Sequence, residues 1–239
     1  MRSASSPQAL IQSRSASYRF YLDDCVNVLE QLAEAFVDVI VTSPPYNLGV
    51  QYRSYDDTIP RADYLEWTAR WVQKAAAVLA PDGSLFLNVG AKPTDPWTAL
   101  DVAQAARPYL RLQNTIHWIK SIAIEKAAAG SRAGLDQDLA VGHYKPINSR
   151  RFLHDCHEFV FHFTPGGNTP LDRRAVGVRY QDASNIGRWR TAGSGVRCRG
   201  NTWFISYETI QDREKERPHA GGARRPAPEA SSGYRPLDC

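Results

Sequence analysis

The feature that most restricts how this chain can fold is a strand-sized run, Val37 to Val41, apolar but for Asp38, that leads straight into Thr42-Ser43-Pro44-Pro45-Tyr46-Asn47-Leu48-Gly49. A near-continuous apolar strand suits a parallel sheet covered on both faces, because a strand with one wet face would alternate. Ahead of it, Tyr18 to Leu22 reads as a strand. Val26, Leu29, Leu32 and Phe36 then recur at helical spacing, which predicts a helix through Asn27 to Phe36. Strand, helix and strand make a β-α-β unit, the building block of layered α/β domains.

The alternation continues. Pro60 opens a predicted helix carrying Tyr64, Leu65, Trp67, Trp71, Val72 and Leu79, and Pro81-Asp82-Gly83 reads as the turn that ends it. Ser84 to Val89 is the next strand and Trp97 to Ala106 a further helix. Leu110 to Lys120 is a strand in which Leu112, Ile116 and Trp118 alternate with polar neighbours. Ile122 to Gly142, rich in Ala and Gly, reads as loop, while Glu158 to Thr164 and Thr202 to Ile205 are the remaining strands. The fold class is therefore α/β, a doubly wound sheet. Met1 to Ser17, with much Ser and Ala and no acid, is expected to be a disordered leader, and residues 220–239 a disordered tail. One domain, 18–219, lies between them.

Composition excludes several classes. No apolar run approaches the roughly 18 to 20 residues of a membrane helix, so no membrane partner is expected. The cysteines Cys25, Cys156, Cys198 and Cys239 are scattered and form no CxxC pair, which argues against a disulfide framework and points to the cytoplasm. His154-Asp155-Cys156-His157 invites a metal reading, but side chains on a strand alternate faces and no fourth ligand stands out, so no metal site is expected. Charge is more informative. Residues 143–200 hold ten Arg and Lys against four Asp and Glu, a local +6 in a chain whose total is +4. Any face for a polyanion is thus confined to that segment, a solvated basic surface being the plainer alternative.

Ser43-Pro44-Pro45-Tyr46 sits just past the carboxyl end of a predicted strand, where ligands bind in open α/β sheets. Two consecutive prolines fix φ and remove two N–H donors, leaving carbonyl acceptors of little freedom. Ser43 adds a hydroxyl acceptor and Tyr46 an aromatic face. A planar ring bearing an NH2 group fits that set, although a rigid connector or a polyproline-type recognition stretch would share the sequence.

Placed after such a strand, Val37 to Gly49 resembles the catalytic motif of the amino-group DNA methyltransferases, the N4-cytosine and N6-adenine family, in its permuted (β-type) order. Other matching pieces are Leu22-Asp23-Asp24-Cys25, the Tyr64 to Leu79 helix with Asp82-Gly83-Ser84, and Asn201-Thr202-Trp203 with Lys215-Glu216-Arg217-Pro218-His219. The resemblance implies a Rossmann-like methyltransferase sheet and S-adenosylmethionine as cofactor. It implies double-stranded DNA as partner, with a cognate restriction endonuclease system. Ser43, Pro44, Pro45 and Tyr46 would be catalytic, acting on a flipped base. Asp23 or Asp24 would contact the cofactor, helix capping being the alternative. The basic region would recognise the target through Arg150, Arg151, Arg173, Arg174, Arg188 and Arg190. Serine before Pro-Pro leans toward cytosine N4.

The family's cofactor loop, Asp-Pro-Phe-x-Gly-x-Gly after a strand, has no counterpart following His219; Gly221-Gly222, Asn88-Val89-Gly90 and Gly193-Ser194-Gly195 lack its context. The expectation is an incomplete sheet truncated before that loop. Two alternatives stay open: a catalytically impaired DNA-binding remnant, and an amino-group methyltransferase acting on RNA or protein.

Overall fold

A computed structural model describes residues 9–12, 15–50, 55–130, 134–142, 148–180 and 195–206. The expected tail at 220–239, the Lys215 to His219 segment, Arg188 and Arg190 fall outside the described residues. The elements are β1 (Ala9–Gln12), β2 (Ser17–Phe20), α1 (Cys25–Leu29), β3 (Val37–Thr42), α2 (Arg61–Val78), β4 (Leu79–Val89), α3 (Trp97–Ala106) and β5 (Arg111–Ile119). They continue with β6 (Ile122–Ile124), α4 (Lys126–Ala129), β7 (Leu139–Val141), β8 (His157–Thr164), β9 (Val178–Arg179), β10 (Val196–Arg197) and β11 (Thr202–Phe204).

Among the described residues five strands form the main sheet, in the order β11-β5-β8-β4-β3. β3 and β4 are parallel, as are β11 and β5, and β8 runs antiparallel to both of its neighbours. The fold is α/β. Within β4, Leu85, Leu87 and Val89 alternate with Phe86 and Asn88, so one face is wholly apolar and buried. β8 supplies Phe159, Phe161 and Phe163 to the same core, the first two rings stacked 5.3 Å apart. On α2, Tyr64, Thr68, Trp71, Val72, Ala75 and Val78 recur every three or four residues and make a single buried stripe. α3 adds Ala99, Val102 and Ala106, small residues that let it lie close. Burying each large side chain of this layer stabilises the fold by roughly 1.5–3 kcal/mol.

The structure departs from the sequence reading in five places. Ala9–Gln12, expected within a structureless leader, pairs antiparallel with Ser17–Phe20. The helix predicted through Asn27 to Phe36 is shorter: α1 starts on the Asp24 cap and ends at Leu29. The chain has to reverse before β3, and Ala35 (φ 53°) and Phe36 donate their N–H groups to the Ala77 and Val78 carbonyls at the end of α2. β3, expected to be covered on both faces, is the last strand of the sheet among the described residues. Val39 and Val41 are accordingly 55% and 61% exposed. Pro81-Asp82-Gly83 is absorbed into β4 as an irregularity, the register against β3 jumping from Val37↔Leu79 to Val39↔Ser84. Residues 122–142, read as loop, contain the β6–β7 hairpin and the single turn α4.

Candidate active site

Asp38-Val39-Ile40-Val41 delivers the chain to the carboxyl end of the sheet, and the Ser43-Pro44-Pro45-Tyr46 loop follows at once. Two anchors hold that loop from behind. The Tyr64 hydroxyl, on a fully buried side chain of α2, donates to the Pro45 carbonyl at 2.9 Å. Burial pushes that phenol far above its usual range, so it stays a protonated donor. Buried Asp57 accepts from the backbone N–H groups of Asn47 (2.8 Å), Leu48 (3.0 Å) and Val50 (2.9 Å). Three charge-assisted bonds to one carboxylate make this turn stiff, and Asn47 is held at φ 58° within it.

The loop's side chains meet groups from two other strands. Ser43 Oγ and the Tyr46 hydroxyl lie 2.7 Å apart. Tyr46 also reaches Asn88 Oδ1 on β4 at 3.1 Å and Glu158 Oε2 on β8 at 3.4 Å. The Asn88 amide donates to Glu158 Oε2 (3.1 Å) and to the Phe159 carbonyl (3.0 Å). Lys120, just past β5, forms an ion pair with Glu158 Oε1. Gly90 lies against the Tyr46 ring, where an added Cβ would come within 3.1 Å of Cε2. Asp57, Tyr64, Asn88, Gly90, Lys120 and Glu158 were not singled out as site residues from sequence; the usable signals were a lone Asn in an apolar strand and an acid opening a strand.

The aspartates divide. Asp24 Oδ1 accepts from the Val26 N–H at 2.8 Å, which is a helix cap. Asp23 accepts from the Asp24 N–H and from Asn27 Nδ2, and the Asn27 bond in first place lowers its carboxyl below the usual range. It lines a cavity of about 390 Å³ with Tyr21, Ile40, Pro44, Trp67 and Trp71. Pro44 therefore faces both this cavity and the loop that carries Ser43. Arg150, Arg151, Arg173 and Arg174 are exposed. Within the basic segment the β9–β10 ribbon carries Arg179 and Arg197.

Known proteins resemble this chain along most of its length. A family model described as "DNA methylase", of the N6/N4 type, matches residues 37–231. Type II methyltransferase M.MjaVI of Methanocaldococcus jannaschii is 40% identical over 119 residues, covering 46% of this chain and 57% of that protein. Type II methyltransferase M1.MboII of Moraxella bovis is 24% identical over 183 residues, covering 76% of this chain and 58% of that protein. Among solved structures, the PvuII DNA methyltransferase (cytosine-N4-specific) aligns with 82% of this chain and 59% of its own, with a TM-score of 0.50 and 15% identity, a likeness of fold. The chain thus spans less than three-fifths of each of these proteins. The family match, over a segment that contains the Ser-Pro-Pro-Tyr loop and every group around it, places this chain in the amino-group (N6/N4) DNA methylase family.

Proposed function

We propose that this chain methylates the exocyclic amino group of a base in DNA, cytosine N4 in preference to adenine N6, as the modification half of a Type II restriction-modification system. The observation that carries the reading is the pair of hydroxyls, Ser43 Oγ and Tyr46 OH, 2.7 Å apart on a loop clamped by Tyr64 and Asp57. Methyl transfer to an amino group asks little covalent chemistry of a protein. It asks for fixed acceptors and a surface for the ring.

S-Adenosylmethionine, when bound, supplies an electrophilic methyl group. The cavity beside Pro44 suits its nucleoside end: apolar walls from Ile40, Trp67 and Trp71, with the Asp23 carboxylate as an acceptor. Ser43 Oγ and the Pro44 carbonyl accept the two amino hydrogens of a flipped base, and the Tyr46 ring stacks on it. Those bonds favour a pyramidal nitrogen whose lone pair is free to attack. Arg150, Arg151, Arg173, Arg174, Arg188 and Arg190, within the target-recognition region 143–200 of a domain spanning 18–219, contact phosphates or guanine edges. Serine rather than an acid or amide before Pro-Pro supports cytosine as the base.

One observation favours a second reading, a DNA-binding relative without catalysis: among the described residues no glycine lines the cavity to cradle the methionine end. The two separate in one experiment, tritiated methyl incorporation into mixed-sequence DNA alongside DNA binding at rising salt. Incorporation lost in Ser43→Ala supports the enzyme. Salt-sensitive binding with no incorporation supports the second reading.

A further inference from the structure

We propose that Glu158, held by Lys120, is the acceptor for the proton that the amino group must shed on methylation, and that the hydroxyls of Ser43 and Tyr46 carry it there. The inference rests on the methyl-transfer reading above and adds residues to it. Methylation of an amine is not complete when the carbon–nitrogen bond forms. The nitrogen lone pair takes the methyl carbon, the carbon–sulfur bond breaks with its electrons left on sulfur, and the nitrogen is then a cation with one proton too many. That proton has to pass to a base.

The groups that could do so form a single row. Ser43 Oγ is 2.7 Å from Tyr46 OH, which is in turn 3.4 Å from Glu158 Oε2. Asn88 flanks the row. Its Nδ2 donates to Glu158 Oε2 at 3.1 Å, while its Oδ1 lies 3.1 Å from Tyr46 OH and 3.5 Å from Ser43 Oγ, so the single hydroxyl hydrogen of Tyr46 can turn between this second acceptor and Glu158. With each hydroxyl donating toward the carboxylate, Ser43 keeps lone pairs turned to the substrate side. A proton passed to Ser43 Oγ displaces the serine's own proton to Tyr46, and the tyrosine's proton goes to Glu158. The positive charge lost from the sulfonium and the negative charge lost from the carboxylate balance.

Lys120 pairs with the other carboxylate oxygen, Oε1, while Oε2 faces Tyr46 and accepts from Asn88 Nδ2. The Glu158 side chain is 16% exposed, enough to return the proton to solvent afterwards. Glu158 touches neither base nor cofactor in this arrangement. It is a positioning and proton-accepting residue that acts through Tyr46.

Glu158→Gln is the discriminating variant, because glutamine keeps the shape and the hydrogen-bonding reach but not the basicity. In the full chain labelled with tyrosine at 13Cζ, the Tyr46 resonance is identified by its absence from Tyr46→Phe. It should move in Glu158→Gln and in Lys120→Met, and stay put when exposed Arg107 is changed to Gln. In single-turnover methylation, Glu158→Gln should slow transfer about 10- to 100-fold, the scale of a lost acid–base group. DNA and cofactor affinities should stay unchanged, and Glu158→Asp should recover part of the rate. A Tyr46 resonance indifferent to Glu158→Gln overturns the row, and so does an unchanged single-turnover rate. Failure of the underlying function looks different: the wild-type chain transfers no methyl while the Tyr46 resonance still responds.

Discussion

The Tyr64 hydroxyl donates to the Pro45 carbonyl at 2.9 Å from a side chain with no exposed surface, so the core helix α2 sets the position of the loop at the edge of the site. Tyr64→Phe removes only the donor and leaves a carbonyl unpaired. The expected cost is about 1–2 kcal/mol in urea unfolding, with methyl transfer reduced and DNA affinity kept. Equal activity of wild type and Tyr64→Phe would show that the loop does not depend on this anchor.

Asp57 is the second anchor. Asp57→Ala strips the acceptor from three backbone N–H groups at once, and about 3 kcal/mol of destabilisation follows if the turn cannot rehydrate them. Asp57→Asn, which can still accept at one oxygen, should lie between wild type and alanine. Chemical denaturation of the three proteins gives the order directly; a neutral alanine variant would contradict it.

How much of this was legible in the sequence depended on whether a feature was local. The Ser43-Pro44-Pro45-Tyr46 loop could be read because strand and prolines are contiguous, and α3 falls at its predicted limits, Trp97 and Ala106, because its periodicity is unbroken. Glu158 and Asn88 could not be read as partners. They are 70 residues apart and meet only because β8 pairs antiparallel with β4, bringing Val160 opposite Asn88. The exposure of Val39 and Val41 was hidden for a related reason. An apolar run records what a strand can pack against, whereas its place at the end of the sheet depends on its neighbours.

Gly90 lies beside the ring of Tyr46 at a distance that a methyl group would make tight. In Gly90→Ala the new Cβ would meet Tyr46 Cε2 at 3.1 Å and Glu158 Cγ at 3.4 Å. The ring has to give by a few tenths of an ångström, which shifts a hydroxyl held 2.7 Å from Ser43 Oγ. Methyl transfer should fall at least about tenfold while the melting temperature changes little, since a shift of ~1 Å in a reacting geometry can cost a hundredfold. An alanine variant with full turnover would show that the ring has slack.

His162 gives stability a pH dependence. It is fully buried on β8, with Nε2 3.0 Å from Ser84 Oγ, Nδ1 3.0 Å from the Asn114 amide and its ring stacked 4.4 Å from Phe86. Burial lowers its pKa from 6.5, favouring the neutral ring. As pH falls below about 6.5 the unfolded chain takes up the proton first, so the contribution of His162 is complete above that value. It shrinks as pH drops toward the folded-state pKa. Urea unfolding at pH 8, 7, 6 and 5 should show this decline, and His162→Gln should flatten it. A slope in the glutamine variant equal to that of wild type would assign the effect elsewhere, His157, also lowered by burial, being the next group to change.

On the proposed function, the Ser43–Tyr46 loop directs methyl transfer to an amino group of DNA. The most direct measurement is nucleoside mass spectrometry of mixed-sequence DNA after incubation with the chain and S-adenosylmethionine. N4-methylcytosine is expected in the wild-type digest and none with Ser43→Ala or Tyr46→Ala, each variant still binding DNA within about tenfold of wild type because the basic segment is intact. A digest free of any methylated amino group, from a protein that binds both DNA and cofactor, would contradict it.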